Sequence, residues 1–174
     1  MKIRFAMLAM SIVLVLSLLD ASANAPQRRD GSYLCAEKFG AGLAYNEKTK
    51  KWEGTQLRPE LKFILELKFV REGRWRPSEK YGDISTEGFE YDYAEYEASV
   101  TEAGKNAFTC NGSTSEEARL DDAEFMNCRA NLDDYQFNFK TNRFLRAYLV
   151  GYVGGADNKD DTPSVSGGVC TKIK

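Results

Sequence analysis

The chain has 174 residues, 43% of them hydrophobic and 29% charged, with a formal net charge of −2. That length predicts one domain, the composition is that of an ordinary globular protein, and the near-neutral charge points away from nucleic acid and anionic membranes. Histidine is absent, which excludes Ser-His-Asp and Cys-His catalysis, His-ligated zinc or haem, and a histidine pH switch.

Lys2 and Arg4 precede an apolar run over residues 5–19, and Ala21-Ser22-Ala23 and Ala23-Asn24-Ala25 are both small-x-small cleavage patterns. Residues 1–25 therefore read as a secretory signal peptide. The run is shorter than the roughly 20 apolar residues a spanning helix needs. Cleavage after Ala23 or Ala25 is expected, with no membrane attachment afterwards and residues 26–174 as a single domain. Loss of Lys2, Arg4 and Asp20 takes the net charge to −3. A periplasmic or secreted location follows.

Cys35, Cys110, Cys128 and Cys170 all lie beyond the signal. Four cysteines on an exported chain read as two disulfides. No C-x-x-C pair supports a metal knuckle or a thioredoxin-type redox site. Of the three pairings, the favoured one joins Cys110 to Cys128, clipping a polar loop, and Cys35 to Cys170, tying the first strand to the last.

Residues 32–37 read as a short strand, with a bend or bulge at Gly40 and Gly42. A hairpin follows over residues 43–55, turning at 46–50 and bringing Tyr45 near Trp52. Residues 62–70 alternate, with Phe63, Leu65, Leu67 and Phe69 on one face. From Arg71 to Gly88 the pattern dissolves among Gly73, Pro77, Gly82 and Gly88, and a long loop is expected. Strands are expected at 89–93, 96–101 and 107–110, with one helical turn allowed at 115–120. Three antiparallel strands then run from 124 to 152. Tyr135, Phe137 and Phe139 share a face of the second, and Phe144, Arg146, Tyr148 and Val150 a face of the third. Residues 140–142 suit a short hairpin loop, since Asn tolerates the left-handed conformation. A loop at 154–163 and a strand at 165–173 end the chain. Many short strands with regular turn signals predict an all-β fold, a small antiparallel barrel or sandwich held by disulfides. The expected core is Phe63, Leu65, Leu67, Phe69, Phe137, Phe139, Phe144, Tyr148 and Val150.

The stretch from Phe137 to Tyr148, followed by Gly151-Tyr152-Val153, Thr162-Pro163 and Gly168-Val169-Cys170, resembles a family of small exported proteobacterial proteins. The early cysteine and the Gly-aromatic hairpin from Gly42 to Trp52 belong to the same likeness. It covers both ends of the chain beyond the signal and skips residues 71–101. It implies export and bacterial origin, and carries over no active site.

The candidate site is the acidic-aromatic segment after Tyr81. Asp83, Glu87, Glu90, Asp92, Glu95, Glu97 and Glu102 are interleaved with Phe89, Tyr91, Tyr93 and Tyr96, while Lys68, Arg71, Arg74, Arg76 and Lys80 surround Trp75. The bland reading is a solvated edge whose charge runs answer each other. The functional reading is a recognition face anchored by Trp75, Tyr91, Tyr93 and Tyr96, with Glu95 and Glu97 selecting a basic protein partner. A carboxylate pair for glycoside hydrolysis is the enzymatic version of the segment. Residues 157–161 carry oxygen ligands but lack EF-hand order, Asn111-Gly112-Ser113 reads as a turn, and no cofactor or metal motif is complete. The expectation is an exported interaction protein without catalysis. A β-barrel with an apolar ligand cavity is the alternative, and a carboxylate-based hydrolase stands behind it.

Overall fold

Wherever apolar and polar residues alternate, the chain is extended, because that pattern lays every second side chain on one face of a pleated strand. The computed structural model describes residues 26–75, 91–112, 117–155 and 157–174. Among these lie β1 (Gly31–Asn46), β2 (Lys51–Leu57), β3 (Lys62–Trp75), β4 (Tyr91–Glu102), β5 (Phe108–Thr109), β6 (Ala118–Asp121), β7 (Phe125–Ala130), β8 (Asp133–Asn138), β9 (Arg143–Tyr148) and β10 (Ser164–Lys172). The predicted signal peptide, residues 1–25, and most of the predicted loop before Gly88 lie outside the described residues.

The sheet is antiparallel throughout and closes on itself. Its order is β1, β3, β4, β5 with β6, β7, β8, β9, β10, and β10 pairs back to β1. β5 and β6 occupy one place in the ring. Thr109 pairs with Ser99 and Ala118 with Tyr96, so the two short strands follow each other along β4. Across that place Leu120 pairs with Met126 and Asn111 bridges Arg129. β2 and β3 likewise follow each other along β1, since Leu57 pairs with Gly40 and Lys62 with Ala36, and the break between them holds Pro59. The all-β, disulfide-bonded fold is thus an up-and-down barrel, whose closure leaves few open edges.

Each disulfide links neighbouring parts of the ring, Cys110 lying just past the end of β5. Cys35 and Cys170 stand opposite each other in the β1–β10 ladder, Cα atoms 3.9 Å apart, and Cys110 meets Cys128 of β7 at 5.2 Å. The first therefore staples the seam where the two ends of the ring meet.

The barrel axis is filled by rings. Phe63 lies 5.4 Å from Tyr135, 6.3 Å from Phe137 and 5.1 Å from Phe144, centroid to centroid. Tyr33 and Phe139 meet edge to face at 5.3 Å. Leu65, Leu67, Tyr96, Val100, Leu120 and Met126 are among the side chains that fill the remainder. Glu66, Lys68, Glu97, Arg129, Gln136 and Arg143 point outward and are exposed. Along these strands the core-facing positions are apolar, and these polar and charged side chains take the outer face.

Each end has its own polar closure. At the end where β3 and β4 run long, residues 26–30 cross the opening. The Arg29 guanidinium bonds Glu124 through Nε at 2.9 Å, its backbone N–H donates to the Tyr96 hydroxyl at 2.8 Å, and Tyr33 donates to its carbonyl at 3.0 Å. At the other end Arg146 points inward, donating from Nη2 to Asp133 at 3.0 Å with Glu37 at 3.9 Å. Its Nε also lies 2.9 Å from Asp133, but at an angle that makes this an ion-pair contact without a hydrogen bond.

Several expectations need correction. β1 is one strand of 16 residues, not a short strand and a bend. Its irregularity falls between Glu37 and Phe39, and Gly42 is there because a Cβ would come within 2.5 Å of the Pro163 carbonyl. β3 continues to Trp75, so the stretch after Arg71 is strand up to that residue. Cross-strand pairing with β4 overrides the lost alternation, and Gly73 is accommodated by Tyr93. Residues 91–102 form one strand, not two. Residues 118–120 are strand rather than helical turn. Of the expected core, Phe69 is only partly buried, and Tyr148 and Val150 are half-buried where β9 leaves the ring.

Candidate recognition face

Antiparallel register decides which residues of β3 and β4 share a surface. Trp75 pairs with Tyr91, Gly73 with Tyr93 and Arg71 with Glu95. These pairs form one ladder on the outside of the barrel. Tyr96, paired with Phe69, is at an even position of the continuous strand β4 and so points the other way from Tyr91, Tyr93 and Glu95; the extra residue at the shift between Phe69 and Arg71 is Val70 of β3.

The ladder's upper part is aromatic. Trp75 stacks on Tyr91 at 5.4 Å with 20° between planes, and Tyr91 meets Tyr93 edge-on at 6.4 Å. The Tyr93 ring lies over Gly73, where an added Cβ would come within 2.5 Å of its Cζ. Arg119 of β6 stands over the same ring at 4.6 Å, a cation–π contact. Trp75 is 37% exposed, and Tyr91 and Tyr93 are half-buried. The arrangement holds three broad rings against one another, each left partly exposed.

Below the rings lies a paired acid. Glu95 is 1% exposed, accepting from Arg71 at 2.5 Å and Arg119 at 2.9 Å. The Arg71 hydrogen bond, opposed by burial and helped by Arg119, holds its carboxyl below the usual glutamate range. Glu97 bonds Lys68 at 2.8 Å, which raises the lysine pKa, and Asp92 bonds Arg74 at 2.6 Å, which lowers that of the aspartate. The charge runs therefore answer each other across the strands among the described residues. A glycosidase acid needs a raised pKa, whereas Glu95 and Asp92 are held ionised. Asp83, Glu87, Glu90, Phe89, Tyr81, Arg76 and Lys80 lie outside the described residues.

The structure brings together Trp75, Tyr91, Tyr93 and Glu95, with Glu97 one step further along the ladder. It separates Tyr96, which is 0% exposed in the core, its hydroxyl pKa raised by burial. Tyr96 is therefore not an exposed anchor. Arg119 was not expected in the site, because nothing local in the sequence marks a residue of β6 as a neighbour of β4. Among the described residues no cluster of His, Cys, Asp and Glu suits a metal ion. In the loop at 157–161, Asn158 Oδ1 accepts from the N–H groups of Asp160 and Asp161, a polar turn.

The alternative of an internal ligand site meets a filled axis. The open spaces described around the barrel are grooves on its outer surface, lined by outward residues such as Asn127, Gln136 and Glu66. No family model, curated protein or solved structure matches the chain.

Proposed function

We propose that the protein is an exported bacterial binding protein without catalysis, and that the outer face of the β3–β4 hairpin recognises a protein partner. The observation that carries this reading is the Trp75–Tyr91–Tyr93 ladder, left partly exposed at one end of a closed, disulfide-stapled barrel. Rigid aromatic surface on a fixed scaffold is a common source of anchor residues. The rings are placed by Gly73 and Arg119 instead of being consumed by the core, which supports a role outside folding. Two disulfides fit an oxidising compartment, and the signal-like order of residues 1–25 and the resemblance to exported proteobacterial proteins support the periplasm or secretion. The buried Glu95, tied to two arginines, sets the ladder's position. Partner selection by net acidity is then weaker than shape selection, because the neighbouring carboxylates are matched.

The test is capture from periplasmic extract with wild type, Trp75→Ala and Tyr91→Ala baits, read by quantitative mass spectrometry. A partner retained by wild type should fall about thirtyfold or more in affinity with either variant. Equal capture by all three refutes the site. Cell fractionation of the native host checks export, and intact Met1 on the recovered protein refutes it.

A further inference from the structure

A second surface lies across the barrel seam, on the outer face of β1, β10, β9, β8 and β7. The pleat turns Leu145 of β9 and Val169 of β10 outward, 46% and 38% exposed, and Phe125 of β7 is 38% exposed. Phe39 is displaced outward by the register shift in β1 and is 57% exposed. It stands opposite Gly167, and a Cβ there would come within 2.5 Å of its ring and 3.0 Å of Leu145. The missing side chain therefore seats the ring and joins it to Leu145. The result is a groove of about 680 Å³ with an apolar floor. A contiguous exposed apolar strip of this kind is a mark of an interaction site.

The rim has one sign. Lys38 and Arg143 line the groove, neither has an ion pair among the described residues, and no acidic side chain lines it. Some other exterior cations are matched, Lys68 with Glu97, Arg74 with Asp92 and Arg129 with Asp134, whereas the two at this groove are left to an occupant. Two unmatched cations over an apolar floor call for an occupant with apolar side chains and carboxylates. The floor crosses several strands, a span suited to an extended chain whose alternate side chains point down.

We propose that this groove docks an acidic, apolar peptide segment of a protein partner, with Phe39, Leu145 and Val169 taking its apolar side chains and Lys38 and Arg143 its carboxylates. The site is separate from the β3–β4 ladder and stands or falls independently of it.

The test uses the purified, disulfide-bonded protein and a fluorescein-labelled peptide alternating Phe with Glu, read by polarisation. Matched peptides carry Lys for Glu or Ala for Phe, and decanoate is the lipid-like competitor. The Phe/Glu peptide should bind at least tenfold tighter than either matched peptide, and its affinity should fall with salt. Lys38→Glu with Arg143→Glu, both exposed and without packing roles, should weaken it about tenfold or more, and Phe39→Ala comparably. Trp75→Ala should leave it unchanged. In 15N spectra the Leu145, Gly167 and Val169 amides should shift on titration. No binding up to millimolar peptide, equal affinity for the Lys peptide, or a groove response to decanoate but not to peptide would each overturn the proposal.

Discussion

Replacing Phe137 by Ala tests whether the barrel interior is a packed core. Phe137 is 1% exposed, and its ring lies 5.8 Å from Tyr135, 6.1 Å from Phe139, 6.2 Å from Phe144 and 6.3 Å from Phe63. Among the described residues it is the one ring in contact with all four of these. Truncation of a buried Phe costs roughly 3–5 kcal/mol, combining lost transfer energy with the cavity left behind. Loss of ring–ring contacts adds about 0.5–1.5 kcal/mol per favourable pair, and β-strand closure prevents the walls from collapsing, so a value near the upper end, about 4–5 kcal/mol, is expected. Leu145→Ala, on the outer face of the next strand, should cost under about 1 kcal/mol. Guanidinium titration with both disulfides intact, followed by tyrosine and tryptophan fluorescence, gives both values at unchanged slope. At this size the Phe137 variant should also melt roughly 8–20 °C lower. A cost below about 1 kcal/mol for Phe137→Ala, or the reverse ranking of the two variants, would refute an apolar-in, polar-out barrel.

The other predictions concern the staples and the ladder. A non-reducing peptide map should link Cys35 to Cys170 and Cys110 to Cys128, and on chain-entropy grounds removal of the first should cost roughly 5 kcal/mol and of the second about 3; a Cys35–Cys110 peptide would refute the pairing. Because the Glu95 pKa is lowered in the folded state, its pairing contributes stability above the unfolded glutamate pKa and loses it as pH falls through the lower folded value. Glu95→Gln should therefore flatten the fall in stability below about pH 4.5 relative to wild type; identical slopes would count against the Arg71–Glu95–Arg119 arrangement. Gly73→Val should drive the Tyr93 ring off β3, changing the near-ultraviolet circular dichroism while the far-ultraviolet spectrum is kept; an unchanged aromatic signal would mean the ring does not rest there.

What the sequence by itself determined is local. Period-2 alternation placed Phe63, Leu65 and Leu67 on one face of β3, and Tyr135 and Phe137 on one face of β8, because side chains on a strand alternate whatever the strand pairs with. Asn142 takes the left-handed conformation at φ 55°, as its place in the β8–β9 turn required. The cysteine pairing was legible for a similar reason: in a meander the first and last strands meet when the sheet closes, and Cys110 and Cys128 flank one excursion. Other features depended on partners distant in sequence. β3 runs through Gly73 to Trp75 only because Tyr93 covers the glycine from the opposite strand. Pairing with β3 makes residues 91–102 one uninterrupted strand, so alternation sends Tyr96 into the core while Tyr91 and Tyr93 stay outside, and four tyrosine-and-tryptophan candidates that looked alike divide into one core residue and three surface ones. Arg119 reaches Glu95 across 24 residues, and Phe39 finds its seat on Gly167 at the far end of the chain. Such contacts are set by strand order and register, which are properties of the closed sheet as a whole, and no short stretch of sequence specifies them.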